Sequence, residues 1–260
     1  RYLYIGSDDK SKFQRYLEAN LKSIVHDPDV PAMEKNRIVY AAASALMEEL
    51  FEDPRSTENI RRSKQVIEGT VDQILSGRDA VKHLISITAH DYTTYTHSVN
   101  VTIFSVALCE RIIGHDEGAD FQVLGHGFLL HDLGKSLIDP DILSKPGKLT
   151  DEEWKVMKSH PEKGYEMLSE SMDVAEEMRQ IVLEHHERFC GGGYPIGKKG
   201  EDISLLGRIC TIADVFDALT TRRPYKEPMS TFEALSLMKD RMKEHFDPDV
   251  FHEFVQILAK

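Results

Sequence analysis

Phe121-Gln122-Val123-Leu124-Gly125-His126-Gly127-Phe128-Leu129-Leu130-His131-Asp132-Leu133-Gly134-Lys135 is the stretch that decides how this 260-residue chain is read. It is an apolar helix that ends by delivering an imidazole and a carboxylate in succession, on the side the pattern makes the inside. A His-Asp pair alone is a weak signal. It gains weight from Lys135, a cation able to meet a phosphate oxygen, and from Gly134, which lets the chain turn away so that both side chains stay in a cavity.

Working outward, Leu206 to Leu219 is apolar almost all round, as a central buried helix should be, yet it contains Asp214 and Asp217. A buried carboxylate needs a cation or a set of hydrogen-bond donors. Asp214 reads as a metal ligand, and Asp217 as a catalytic-site residue that hydrogen-bonds a ligating histidine. On a helix expected over residues 173–187, Val174, Met178, Ile181 and Val182 form the apolar face, which His185 and His186 extend in steps of four. His97 shares a stripe with Val101, Phe104 and Leu108 and faces inward, and His160 precedes Pro161 at a helix break. Mixed imidazole and carboxylate ligands suit divalent Fe or Mn, with Zn, Ni and Co as alternatives. Two ions about 3.5–4 Å apart need a bridging carboxylate and several ligands on each side. The sequence supplies that number: His97, His131, Asp132 and Asp214 for one ion, and Asp132, His160, His185 and His186 for the other, with Asp132 as the bridge.

The rest of the chain is helical in pattern nearly throughout, so the expected fold class is all-α. Thr150 to Glu153 and Ser230 to Glu233 read as capping boxes, and Pro161 and Pro248 suit first helical positions, the latter after an Asp247 cap. Residues 1–5 read as one strand left from an upstream domain, and a chain that starts at Arg1 reads as part of a longer protein. Two amphipathic stretches, Met33 to Phe51 and Ile60 to Leu75, carry no clustered ligand types; residues 1–78 are expected to serve packing, regulation or a homodimer contact, and residues 79–260 catalysis. No apolar run approaches the ~20 residues needed to cross a bilayer. Three scattered cysteines, Cys109, Cys190 and Cys210, fit reduced thiols and a cytoplasmic setting. A formal charge of −12 argues against binding a nucleic-acid polymer, while a small anion met by a local basic cluster stays compatible.

Over roughly residues 85–260 the chain resembles the HD-GYP family, a branch of the HD phosphohydrolase superfamily. The resemblance rests on Asp91 to Ser98, His131 to Lys135, His160-Pro161, His185 to Arg188 with Gly193-Tyr194-Pro195, Ala213 to Leu219, and Arg223 to Lys226. It implies an HD-type helical bundle around a dinuclear site, hydrolysis of the messenger cyclic di-GMP to linear pGpG or GMP, and the same seven metal ligands. Lys135, Arg223 and Lys226 would contact substrate phosphates, Tyr194 would line the pocket, and Asp91 would join the substrate-binding set. Lys135 and Arg223 would stabilise transition-state charge, and Lys135 or a water would protonate the leaving oxygen. A GGDEF-type or other upstream sensory partner fits the same family. One position departs from it: where some members carry a glutamate that binds a third metal, this chain has Thr93, so two ions are expected. Another cyclic nucleotide such as cyclic GMP-AMP, or a non-catalytic sensor role, are the rival readings.

Overall fold

The N-terminal amphipathic stretches form α1 (Lys10–His26), α2 (Ala32–Glu52) and α3 (Thr57–Leu75), parted by turns at residues 27–30 and 53–55. The computed structural model describes residues 6, 9–88, 93–114, 118–171, 174–222 and 227–259. The strand expected over residues 1–5, together with Asp91, Asp173, Arg223 and Lys226, lies outside the described residues. Among the described residues there is no strand, and the all-α class holds.

After Gly77, α4 (Arg78–Ile87) leads to α5 (Thr94–Ile113), which a reciprocal capping box between Thr93 and Thr96 starts. Every residue of α5 from His97 to Cys109 is buried, so it shares the centre of the molecule with α11 (Leu205–Thr220). Phe104 of α5, Phe216 of α11 and Phe254 of α13 (Pro248–Leu258) meet edge-on, with ring centroids 5.2, 5.1 and 6.0 Å apart. Each such buried side chain contributes about 1.5–3 kcal/mol. α2 packs on α5, and α3 on α6 (Phe121–Leu130), so one apolar cluster runs from Leu21 and Val39 through to Phe254.

The elements that carry the candidate ligands close around this centre. A 3₁₀ turn, Leu133–Leu137, follows α6, and then come α7 (Pro140–Leu143), α8 (Asp151–Met157), α9 (His160–Ser171) and α10 (Glu176–Glu184). The capping boxes at Thr150 and Ser230 form as expected, the second opening α12 (Thr231–Arg241), and Asp247 caps α13 with Pro248 in its first turn. No described helix is long and apolar enough to cross a membrane.

Two local expectations are corrected. The helix expected to reach Glu187 stops at Glu184, because Glu187 N donates to Glu184 O at three-residue spacing (2.8 Å) and the His185 ring takes up Val182 O. Gly134 serves close packing: a Cβ there would lie 1.9 Å from His160 O and 2.6 Å from Gly164 N. Only a residue without a side chain lets the His131-Asp132 turn press against α9.

Candidate metal centre

Three candidate ligands sit just past a helix C terminus, where the last carbonyls have no partner inside the helix. His131 follows α6 and its Nδ1–H donates to Phe128 O (2.7 Å); His160 follows α8 and donates to Met157 O (2.8 Å); His185 follows α10 and donates to Val182 O (2.9 Å). Each ring bonds a carbonyl in the last turn of the preceding helix and thereby aims Nε2 away from that helix. His97 lies in the first turn of α5, whose carbonyls feed the helix ladder, and a side chain fills the role instead: Nδ1–H donates to Asp217 Oδ2 at 2.6 Å. Asp217 also accepts from Asn100 Nδ2 (2.7 Å) and Thr221 Oγ1 (2.8 Å). Asn100 is held in turn by Thr88 O, to which it donates, and by the Tyr40 hydroxyl of α2, which donates to Asn100 Oδ1 at 2.9 Å.

With Nδ1 protonated, as these partners assign it, the four Nε2 atoms present lone pairs. They nevertheless crowd other acceptors. His160 Nε2 is 3.1 Å from His185 Nε2 and 3.1 Å from Asp132 Oδ1, and His97 Nε2 is 3.0 Å from Asp214 Oδ1. Acceptor against acceptor is repulsive unless a cation lies between. Asp132 turns one oxygen to each side: Oδ2 is 3.6 Å from Nε2 of both His97 and His131, and Oδ1 is 3.6 Å from His185 Nε2. His186 completes the second group, with Nδ1 also 3.5 Å from Asp214 Oδ2. Two groups result, His97, His131 and Asp214, and Asp132, His160, His185 and His186, each with its ligand atoms within 4.8 Å of one another.

Electrostatics favours the protonation states that metal ligands need. Burial pushes His131 down to about 3 and also lowers His160 and His186, so these three imidazoles are neutral at pH 7. Burial alone would raise Asp132. The Lys135 charge outweighs burial there and holds the carboxyl well below the usual range. His131 Nε2, Asp132 Oδ1 and His186 Nε2 have no hydrogen-bond partner among the described residues. Spacings of 3.0–3.6 Å are those expected between neighbouring ligand atoms on an ion with bonds of about 2.1 Å. The donor set therefore fits divalent cations.

Residues 106–250 match the family model described as HD domain. The chain belongs to the HD domain family. It is 35% identical over 224 residues to the cyclic di-GMP phosphodiesterase PA4108 of Pseudomonas aeruginosa, a match covering 85% of this chain and 53% of that protein. It is 36% identical over 197 residues to the 3'3'-cGAMP-specific phosphodiesterase 2 of Vibrio cholerae, covering 70% of this chain and 37% of that one. The chain thus spans about half the length, or less, of these relatives. In fold it is similar to Bd1817, a HDG"Y"P protein from Bdellovibrio bacteriovorus, with a TM-score of 0.75 at 22% identity, over 99% of this chain and 82% of that one.

Around the candidate ligands of this HD domain, Lys135 donates to Asp132 Oδ2 at 2.5 Å and so lies against the carboxylate that faces both groups. Tyr194 lies over His186, with ring centroids 4.7 Å apart, and burial raises its hydroxyl pKa far above the ordinary phenol value. The loop bearing it is built onto the backbone beside the histidine pair: Tyr194 N donates to His186 O (3.3 Å), and Ile196 N and Gly197 N donate to Glu187 Oε1 (2.8 Å each). A Cβ on Gly193 would lie 2.5 Å from Glu187 Cα, so this glycine also serves a close approach. Thr93 Oγ1 is engaged in the cap of α5. A cavity of about 350 Å³ between α4, α5 and α13 is lined by Lys82, Glu110 and Arg111 and holds no ligand cluster.

Sequence reading missed Asn100, Thr221 and Tyr40. Asn100 carried a signal, since a polar residue between Val99 and Val101 on an apolar helix must find partners.

Proposed function

We propose that this HD domain hydrolyses a phosphodiester bond of a cyclic dinucleotide, with cyclic di-GMP as its leading substrate and linear pGpG as the first product. The observation that carries the reading is the Asp132 carboxylate, one oxygen facing each of two histidine groups whose lone pairs converge. The P. aeruginosa relative named for cyclic di-GMP supports the substrate. We assign His97, His131, Asp132 and Asp214 to one ion and Asp132, His160, His185 and His186 to the other, Fe or Mn being preferred by the mixed imidazole and carboxylate set. Two ions, rather than three, agree with a Thr93 hydroxyl already committed to its helix cap.

Bound there, divalent ions supply an acidic water as nucleophile and positive charge at the phosphoryl oxygens. The chain's own residues do the rest. Asp217 keeps the His97 ring oriented, and the three carbonyl bonds do the same for His131, His160 and His185. Lys135, beside Asp132 Oδ2, would stabilise charge on the phosphate and on the leaving oxygen. Tyr194 walls the pocket beside His186, and Arg223, Lys226 and Asp91 are assigned to substrate binding from the motif they occupy. Residues 1–78 form the regulatory or dimerising part, receiving signals from an upstream or GGDEF-type partner, in a cytoplasmic protein.

The test is turnover of cyclic di-GMP by anaerobically prepared, Mn- or Fe(II)-loaded protein, beside His131→Ala and Asp132→Ala variants and a panel that includes 3'3'-cGAMP. Loss of at least about 10³-fold in kcat is expected for both variants, since each strips a ligand from the hydrolytic centre. Turnover that survives either change refutes the reading. Nothing in the ligand set reads a base, and the V. cholerae relative makes 3'3'-cGAMP the second candidate.

A further inference from the structure

Trp154 is the chain's one tryptophan, and it is 45% exposed. It sits on α8, a helix that buries none of its residues. Core packing therefore does not account for this helix, yet α8 is firmly held at both ends. Its N terminus carries the Thr150–Glu153 capping box, and Lys145 Nζ clamps Glu153 at 2.6 and 2.7 Å. Its last carbonyl, Met157 O, orients the candidate ligand His160. The indole thus stands one helical turn from a residue that positions the centre.

An aromatic path joins the two. Tyr194 lies over His186 at 4.7 Å and 32°, and Trp154 presents its ring to Tyr194 at 6.3 Å and 74°. The rings lead from the candidate ligand group outward to a half-exposed indole, as a nucleotide leads from phosphate through sugar to base. Resting on the phosphodiesterase reading above, we infer that Trp154 is the stacking platform for a purine base of the bound cyclic dinucleotide. A π-face accepts any base, so this subsite adds affinity without choosing between guanine and adenine. The energetic effect belongs to binding, because the base keeps the same stacking contact while phosphorus reacts.

A sole tryptophan makes the test direct, since all indole emission comes from position 154. Metal-loaded protein is titrated with the non-hydrolysable phosphorothioate analogue of cyclic di-GMP, following tryptophan fluorescence and, in parallel, heat by calorimetry. Emission is expected to be quenched along the calorimetric isotherm. Trp154→Ala should bind about tenfold more weakly, Trp154→Phe should recover most of the affinity, and KM should move with little change in kcat. Unchanged affinity in Trp154→Ala, whatever the emission does, overturns the assignment alone. No binding by the parent protein overturns the proposed substrate along with it.

Discussion

Asp217 accepts three hydrogen bonds on two oxygens, from His97, Asn100 and Thr221, so an amide in its place must turn an N–H against a donor. Asp217→Asn is expected to weaken divalent-ion binding about 10–100-fold, read by competition with a chelating dye, while circular dichroism stays unchanged. Parent-like affinity would remove its orienting role. His126 offers a pH signature away from the ligands. Its Nε2–H donates to Ser63 Oγ at 2.7 Å, since that hydroxyl already donates to Ile60 O. Burial, helped by Lys64, pushes the imidazole down to about 4. Between that value and the ordinary 6.5 the unfolded chain binds a proton that the folded chain refuses. The neutral ring's contribution is therefore complete above pH 6.5 and declines as pH falls, costing about 3 kcal/mol once below pH 4. Urea denaturation at pH 7 and pH 4.5 should show a smaller pH effect in His126→Gln than in the parent, and equal effects would refute the assignment. At this scale the buried polar residues were legible because apolar periodicity carried them inward. Tyr40 was not, for its bond to Asn100 joins positions 60 apart and exists only in the packed molecule.

Helices place three of the candidate ligands through their ends rather than their faces. His131, His160 and His185 each bond a last-turn carbonyl of a terminating helix, so the site is tied to where α6, α8 and α10 stop. This explains both what could be read and what could not. Existence and order of the helices follow from period and caps, as at Thr150, Ser230 and Asp247. The end of α10 did not follow, because a side-chain ring competes there with the backbone ladder, and periodicity is blind to that. α8 is the most exposed of these supports. Thr150→Ala removes its N-cap and should cost about 1 kcal/mol locally, seen as faster amide exchange at residues 153–157 than in the parent, with the rest of the molecule unaffected. Unaltered exchange there would mean that the Lys145–Glu153 clamp alone holds the helix.

Across the whole molecule, the N-terminal helices and the ligand-bearing helices share one apolar cluster. Within it, buried Arg62 of α3 joins α1 and α2 through Glu18 (2.7 and 2.8 Å) and Glu49 (2.5 Å). Arg62→Ala leaves Glu18 buried without its charge partner and should lower unfolding free energy by about 3–5 kcal/mol, measured by urea titration at pH 7. A loss below about 1 kcal/mol would show that water reaches Glu18. The Tyr40 hydroxyl carries a further consequence. Asn100 cannot shift without slackening either the phenol of α2 or the carboxylate that steadies His97, so the two ends are geared together. A twist of α2 that reached Asn100 would slacken the hold on His97, and by thermodynamic reciprocity a ligand that fixed His97 would then stiffen α2 by the same coupling free energy.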